Sequence, residues 1–251
     1  MSQQIDPMWD DKPIDVSSEV NFIWSIANKL RGPYQSDKYK DVIIPMTILR
    51  RFECALAPTK EAVVEQFQKN PNYPEKAMQR LSSYQFYNTS RFDLAELCND
   101  SEHLVANLTA YIEGFSSNVQ GIIRNLEFDR QIEKMDKHNR LYSVVKAFSE
   151  LDLDPKTIDG MKMGYIFEEL IRKFSENAEA GDHYTGRDII KTMVSVLLSE
   201  GSDDVLQPGR EITILDQACG TGGMLSSSFD YISHRNPSAK VYLYGQEFDD
   251  A

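Results

Sequence analysis

A chain of 251 residues, 41% hydrophobic and 26% charged, has the length of one or two domains and enough apolar side chains to bury a core. No run approaches the roughly 18 apolar residues a membrane span requires, and Met1 to Asp11 is polar and acidic rather than signal-like, so the expected address is the cytoplasm. A formal charge of −12 speaks against a free-standing nucleic-acid binder, which needs concentrated Lys and Arg, and three cysteines without CxxC spacing speak against disulfides and structural zinc.

The first predicted helix runs from Val20 to Leu30, where Val20, Phe22, Ile23, Ile26, Ala27 and Leu30 recur at helical spacing before Gly32-Pro33. A second runs from Val42 to Ala57, with Pro45 near its start as an N-terminal residue or a kink. Arg50-Arg51 within it could touch a phosphate, although a solvated face or an ion pair is the more ordinary fate of such a pair. Residues 68–92, rich in Asn, Pro, Tyr and Ser, read as a loop-laden connection. Helical patterning returns from Leu94 to Phe115, from Val119 to Phe128 and from Leu141 to Leu151, followed by a turn at Asp152 to Pro155 and Thr157 as a candidate cap. Met161 to Phe174 is amphipathic, with Met163, Ile166, Phe167, Leu170, Ile171 and Phe174 on one face, which alone means core packing.

After Asp188 the pattern changes. A helix over Ile189–Leu198 leads through Gly201 and Pro208-Gly209 into the β-branched run Ile212 to Leu215. A glycine-rich loop follows, then a helix from Gly223 to about His234 and a second strand over Val241–Tyr244. Strand, glycine loop, helix and strand open a doubly wound sheet. The expected organisation is α + α/β: an all-helical domain over 1–165, then the truncated start of a Rossmann-like domain over 166–251. Two strands leave an apolar edge without a neighbour, so the sequence is expected to be a piece of a longer chain.

Asp216-Gln217-Ala218-Cys219-Gly220-Thr221-Gly222-Gly223 lies between strand and helix. Gly220, Gly222 and Gly223 let the backbone turn sharply and approach a ligand, and the first helical turn offers N–H groups. Glu247, closing the second strand, is placed to accept hydrogen bonds from two ribose hydroxyls. Asp216 suits a cationic ligand or the loop's own N–H groups. A dinucleotide fits less well: the third glycine of G-x-G-x-x-G is replaced by Leu225, and a carboxylate at 216 does nothing for a pyrophosphate. A sulfonium nucleoside, S-adenosylmethionine, is the preferred cofactor over a nicotinamide or flavin. A glycine turn without a ligand is the remaining alternative.

The D-x-A-C-G-T-G-G string followed by Tyr244-Gly245-Gln246-Glu247 resembles motifs I and II of the type I restriction-modification methyltransferase (modification) subunits, in the adenine-N6 class. Gly181 to Arg187 resembles the family's motif X, with His183 in place of an aromatic and Gly186 in place of a proline. The resemblance implies that Asp182, His183, Tyr184, Thr185, Gly186 and Arg187 line the methionine end of the cofactor. It also implies that Asp216, Ala218, Gly220, Thr221, Gly222 and Gly223 shape its central wall, with Glu247 on the ribose. It implies double-stranded DNA as substrate, partner specificity and restriction subunits, and a second modification subunit in the complex. The family's chemistry needs an Asn/Asp-Pro-Pro-aromatic motif to hold an extruded adenine. No such motif occurs: Asp6-Pro7-Met8-Trp9, Asn70-Pro71-Asn72-Tyr73 and Asn236-Pro237-Ser238 each lack the second proline. No catalytic residue is therefore assigned, and the chain alone is expected to be inactive. A methyltransferase of protein or RNA and a non-catalytic binding module are the rival readings. His103, His138 and His234 are expected at surface or satisfied positions, and Cys219 as a small residue rather than a nucleophile.

Overall fold

A computed structural model of the chain describes residues 15–175, 185–198, 203–220 and 222–247. These fall into two compact units, residues 15–175 and residues from 185 onward.

The first unit is all helical. Its helices are α1 (Ser17–Ala27), α2 (Lys40–Leu56), α3 (Lys60–Lys69), α4 (Glu75–Ser82) and α5 (Leu94–Leu97). They continue with α6 (Leu104–Glu113), α7 (Ser117–Asn125), α8 (Phe128–Lys137), α9 (Leu141–Ser149) and α10 (Gly160–Ser175). One apolar core joins Val20, Ile23 and Ile26 of α1 to Val42, Ile43, Met46 and Leu49 of α2 and to Met163, Ile166, Leu170 and Phe174 of α10. The amphipathic face of α10 is thus core, and residue 165 falls inside this helix. Pro45 is buried in the second turn of α2, so it forgoes only one hydrogen bond near the helix start.

Several boundaries differ from those the pattern suggests. Within the expected loop at 68–92, Glu75–Ser82 is helical and buries Met78. The run over Leu94–Phe115 divides at Cys98–His103, where Asp100 competes with the helix by accepting from the His103 backbone and ring and from Asn107 Nδ2. The run over Val119–Phe128 ends at Asn125, because Glu127 is left-handed at φ 47°. A separate helix α8 begins there and holds itself in place with only Phe128, Ile132 and Met135 buried, one residue per turn. The α10 cap is Asp159, whose Oδ1 accepts the Lys162 N–H at 2.7 Å; the Thr157 hydroxyl donates to Asp154 O instead.

Arg50 and Arg51 act inside the fold. Arg50 Nε donates to Leu151 O at 2.7 Å, and its guanidinium pairs with Glu53. Arg51 donates to Leu153 O and Ile158 O, both at 2.7 Å. The pair therefore fastens α2 to the turn between α9 and α10. Glu53 in turn accepts the Leu94 N–H at 2.8 Å, and burial raises its carboxyl above the usual value, outweighing the downward pull of Arg50 and of that N–H.

The second unit contains α11 (Arg187–Leu197), β1 (Glu211–Asp216), α12 (Gly223–Arg235) and β2 (Lys240–Gly245). The strands are parallel, with Ile212 opposite Val241 and Asp216 opposite Gly245. A parallel pair joined by a crossover helix is the β-α-β unit of a doubly wound sheet. Its core gathers Ile190 and Val194 of α11 with Tyr231 and Ile232 of α12, against which Ile212, Ile214 and Val241 pack. Among the described residues β2 pairs only with β1, and Leu243 and Tyr244 are exposed. No helix among the described residues is long and apolar enough to cross a membrane.

Candidate functional site: a glycine loop closed by a carboxylate

The loop leaves β1 at Asp216 and enters α12 at Gly223. Gly220 (φ 50°) and Gly222 (φ 81°) are both left-handed, a region where a Cβ would strain the backbone. A β-carbon at either would meet nothing within 4 Å, so the outer side of the loop is open space. Gly222 also stands as the N-cap of α12, whose first-turn N–H groups have no partner within the helix.

The loop is tied to the end of β2. Gln246 N–H donates to Asp216 O at 2.8 Å and Cys219 N–H to Gln246 O at 3.0 Å, carrying the ladder beyond the strands. Asp216 Oδ1 accepts the Ala218 N–H at 3.2 Å, and Glu247 Oε2 accepts the Gly220 N–H at 2.6 Å. Two carboxylates thus flank the bend, one at each strand end. Asp216 takes the loop-directed role that the sequence left open to it. Cys219, a free half-buried thiol, lies against Gly245.

Gly223 is needed for space. A β-carbon there would stand 2.7 Å from Ile190 Cδ1, so α11 approaches the start of α12 as closely as it does only because residue 223 has no side chain. This contact brings the segment carrying Thr185, Gly186 and Arg187 toward the unit's central helix. Gly186 is the N-cap of α11 and its carbonyl accepts from Ile189 and Ile190 N–H; Thr185 is exposed. The Arg187 charge acts on Asp230 of α12, whose carboxyl burial pushes up and Arg187 pulls partly back. Asp230 lies seven residues into α12 from Gly223, roughly 10 Å along the axis. Asp182, His183, Tyr184 and Thr221 lie outside the described residues.

Of the near matches to an adenine-holding motif, Asn236 is buried and donates to Val205 O at 3.0 Å and Gln207 O at 2.8 Å while accepting from Ser238, which makes it a loop fastener. Asn70 ends α3 and its Oδ1 accepts the Asn72 N–H, a local turn. The Asp6 match lies outside the described residues. His103 is satisfied by Asp100 at 3.0 Å.

Sequence reasoning missed Ile190 and Gly245 as parts of this site. Gly245 stood in a quoted motif, and a glycine in a strand is a known sign of close approach by another backbone or side chain. The arrangement as a whole is an open backbone cup with carboxylates on two sides. It can accept donors and a positive centre, and it opposes a second negative group.

Residues 20–148 match the family model described as the HsdM N-terminal domain, and residues 159–251 match that of the N-6 DNA Methylase. The chain is 24% identical over 251 residues to the type I restriction enzyme MjaIX methylase subunit of Methanocaldococcus jannaschii, a span of 91% of this chain and 42% of that protein. It is 29% identical over 140 residues to the EcoEI methylase subunit of Escherichia coli, covering 55% of this chain and 26% of that one. A crystal structure of the type I restriction-modification system methyltransferase subunit from Streptococcus thermophilus aligns with a TM-score of 0.65 at 16% identity, over 92% of this chain and 52% of that one, a likeness of fold. The chain spans under half the length of these methylase relatives.

Proposed function

The chain belongs to the type I restriction-modification methyltransferase subunits, joining an HsdM N-terminal domain to N-6 DNA methylase sequence, and on that premise we propose that its glycine loop holds S-adenosylmethionine. The observation that carries the reading is the open loop with left-handed Gly220 and Gly222 between the carboxylates of Asp216 and Glu247. A nucleoside with a cationic centre fits that donor and acceptor set, whereas a pyrophosphate would face two negative groups.

Glu247 would accept hydrogen bonds from the ribose hydroxyls, its carboxylate oriented by the Gly220 N–H. Asp216, Ala218, Gly220, Thr221, Gly222 and Gly223 would form the central wall. Asp182, His183, Tyr184, Thr185, Gly186 and Arg187 would line the methionine end. When bound, the cofactor supplies an electrophilic methyl group on sulfur. The acceptor would be adenine N6 in double-stranded DNA, with the specificity subunit reading the sequence alongside a restriction subunit and a second modification subunit. The charge of −12 fits a division of labour in which another subunit grips the phosphates. Functionally we divide the chain into a helical part, 1–165, for DNA and subunit contacts, and a cofactor-binding part, 166–251, both acting in the cytoplasm.

The Asn-Pro-Pro-aromatic motif is absent from these residues, so the chain alone would bind cofactor without methylating DNA. Titration calorimetry with S-adenosylmethionine and with NAD tests this: heat is expected from the first only, and none from either, or heat from NAD, overturns the cofactor reading. In the same preparation tritium from labelled cofactor is expected to stay out of DNA, and measurable transfer would show that a catalytic site lies within these residues.

A further inference from the structure

Gly245 has no side chain to offer a ligand, and its φ is not in the left-handed region. Backbone strain therefore does not demand glycine there; space does. A β-carbon at 245 would stand 2.8 Å from Cys219 Sγ, 3.3 Å from Cys219 Cβ and 3.1 Å from Leu225 Cδ1. The first of these atoms belongs to the loop and the last to the first turn of α12, so both close onto the bare backbone at the end of β2.

Immediately beyond this contact the loop and strand exchange hydrogen bonds in order: Gln246 N–H to Asp216 O, Cys219 N–H to Gln246 O, and Gly220 N–H to the Glu247 carboxylate. Cys219 Sγ also lies 3.7 Å from Gly220 O as a weak donor. The height at which Cys219 rests on Gly245 therefore sets the distance between residues 220 and 247.

We infer that Cys219 and Gly245 form a steric interlock that positions the Glu247 carboxylate for a ribose. The inference rests on the cofactor reading above for the word ribose only; the interlock itself is a property of the loop. Cys219 and Gly245 are positioning residues that act through Glu247.

Gly245→Ala and the double variant Gly245→Ala with Cys219→Ala separate this from general destabilisation. Without any ligand, amide exchange at Gly220 followed by NMR is expected to quicken about tenfold or more in Gly245→Ala, the scale on which overpacking a tight contact acts. In the double variant, where the sulfur is gone, protection returns most of the way. The affinity for S-adenosylmethionine should follow the same order, about tenfold weaker in the single variant and largely restored in the double. Unchanged Gly220 exchange in Gly245→Ala, or a double variant as impaired as the single, overturns the interlock. If the exchange pattern holds but no variant, nor the unaltered protein, binds S-adenosylmethionine, the cofactor reading fails and the interlock stands. Should Gly245→Ala not fold, Cys219→Val enlarges the same contact from the loop side, and unchanged Gly220 exchange in it likewise overturns the inference.

Discussion

Ile190 and Gly223 meet so closely that a β-carbon on residue 223 would lie 2.7 Å from Ile190 Cδ1. Two segments that the sequence presents as separate motifs are thereby held against each other, α11 on the start of α12. The requirement is local to one methyl group. Gly223→Ala is accordingly expected to lower stability by about 1 kcal/mol, with the clash exceeding the gain in helix propensity. Ile190→Val removes the obstructing carbon and should recover most of that loss when combined with it. A double-mutant cycle by urea denaturation reads the coupling; additive losses would show that the contact does not set the packing.

Arg51 donates from one guanidinium to the carbonyls of Leu153 and Ile158, residues 102 and 107 positions away. A cationic donor to buried carbonyls is worth more than a neutral one, and its removal leaves both acceptors without it. Arg51→Ala is expected to cost about 2 kcal/mol of stability. Arg51→Lys should recover only part, since both bonds leave the one terminal nitrogen Nη1, and the shorter lysine chain brings its ammonium less far toward the same two carbonyls. Equal stability of the lysine variant and the unaltered protein in chemical denaturation would contradict this geometry.

Glu19 of α1 and Lys162 of α10 pair at 2.7 Å with side chains 17% and 27% exposed. Burial opposes ionisation of Glu19, but the Lys162 hydrogen bond, local hydrogen bonds and the Lys162 charge outweigh it and hold the carboxyl below its usual 4.5. A carboxyl lowered in the folded state stabilises the fold fully above the unfolded value, and that stabilisation fades as pH falls through the lowered one. Lys162→Met should therefore cost about 1 kcal/mol near neutral pH, and the gap should close on acidification below 4.5. Denaturation midpoints measured at neutral and acid pH check it, and a gap independent of pH would exclude the ion pair as its source.

The strand, glycine bend and helix that build the candidate site were legible in the sequence because their requirements are local. Left-handed φ at Gly220 and Gly222 is a steric fact about single residues, and a β-branched run before them and a valine-tyrosine-leucine-tyrosine run after them announce the strands. Gly245 was visible only as part of a string. Its reason for being glycine is a sulfur atom from residue 219, which no local pattern reveals. Helix α8 escaped for a related cause: its three buried residues, Phe128, Ile132 and Met135, are too sparse among charged neighbours to register, and the rest of the core makes them sufficient.

By itself, then, the sequence determined the chain's order of events: helices first, then strand, glycine bend, helix and strand, with a carboxylate at each strand end. Periodicity and φ preference are carried by neighbouring residues, so they can be read without the fold. Tertiary structure alone decided which groups meet. It sent Arg50 and Arg51 to carbonyls more than 100 residues away, gave the cap of α10 to Asp159 rather than Thr157, and set Ile190 against Gly223 and Cys219 against Gly245. Those choices depend on packing distances of a few ångströms between distant segments, and such distances exist only once the core has closed.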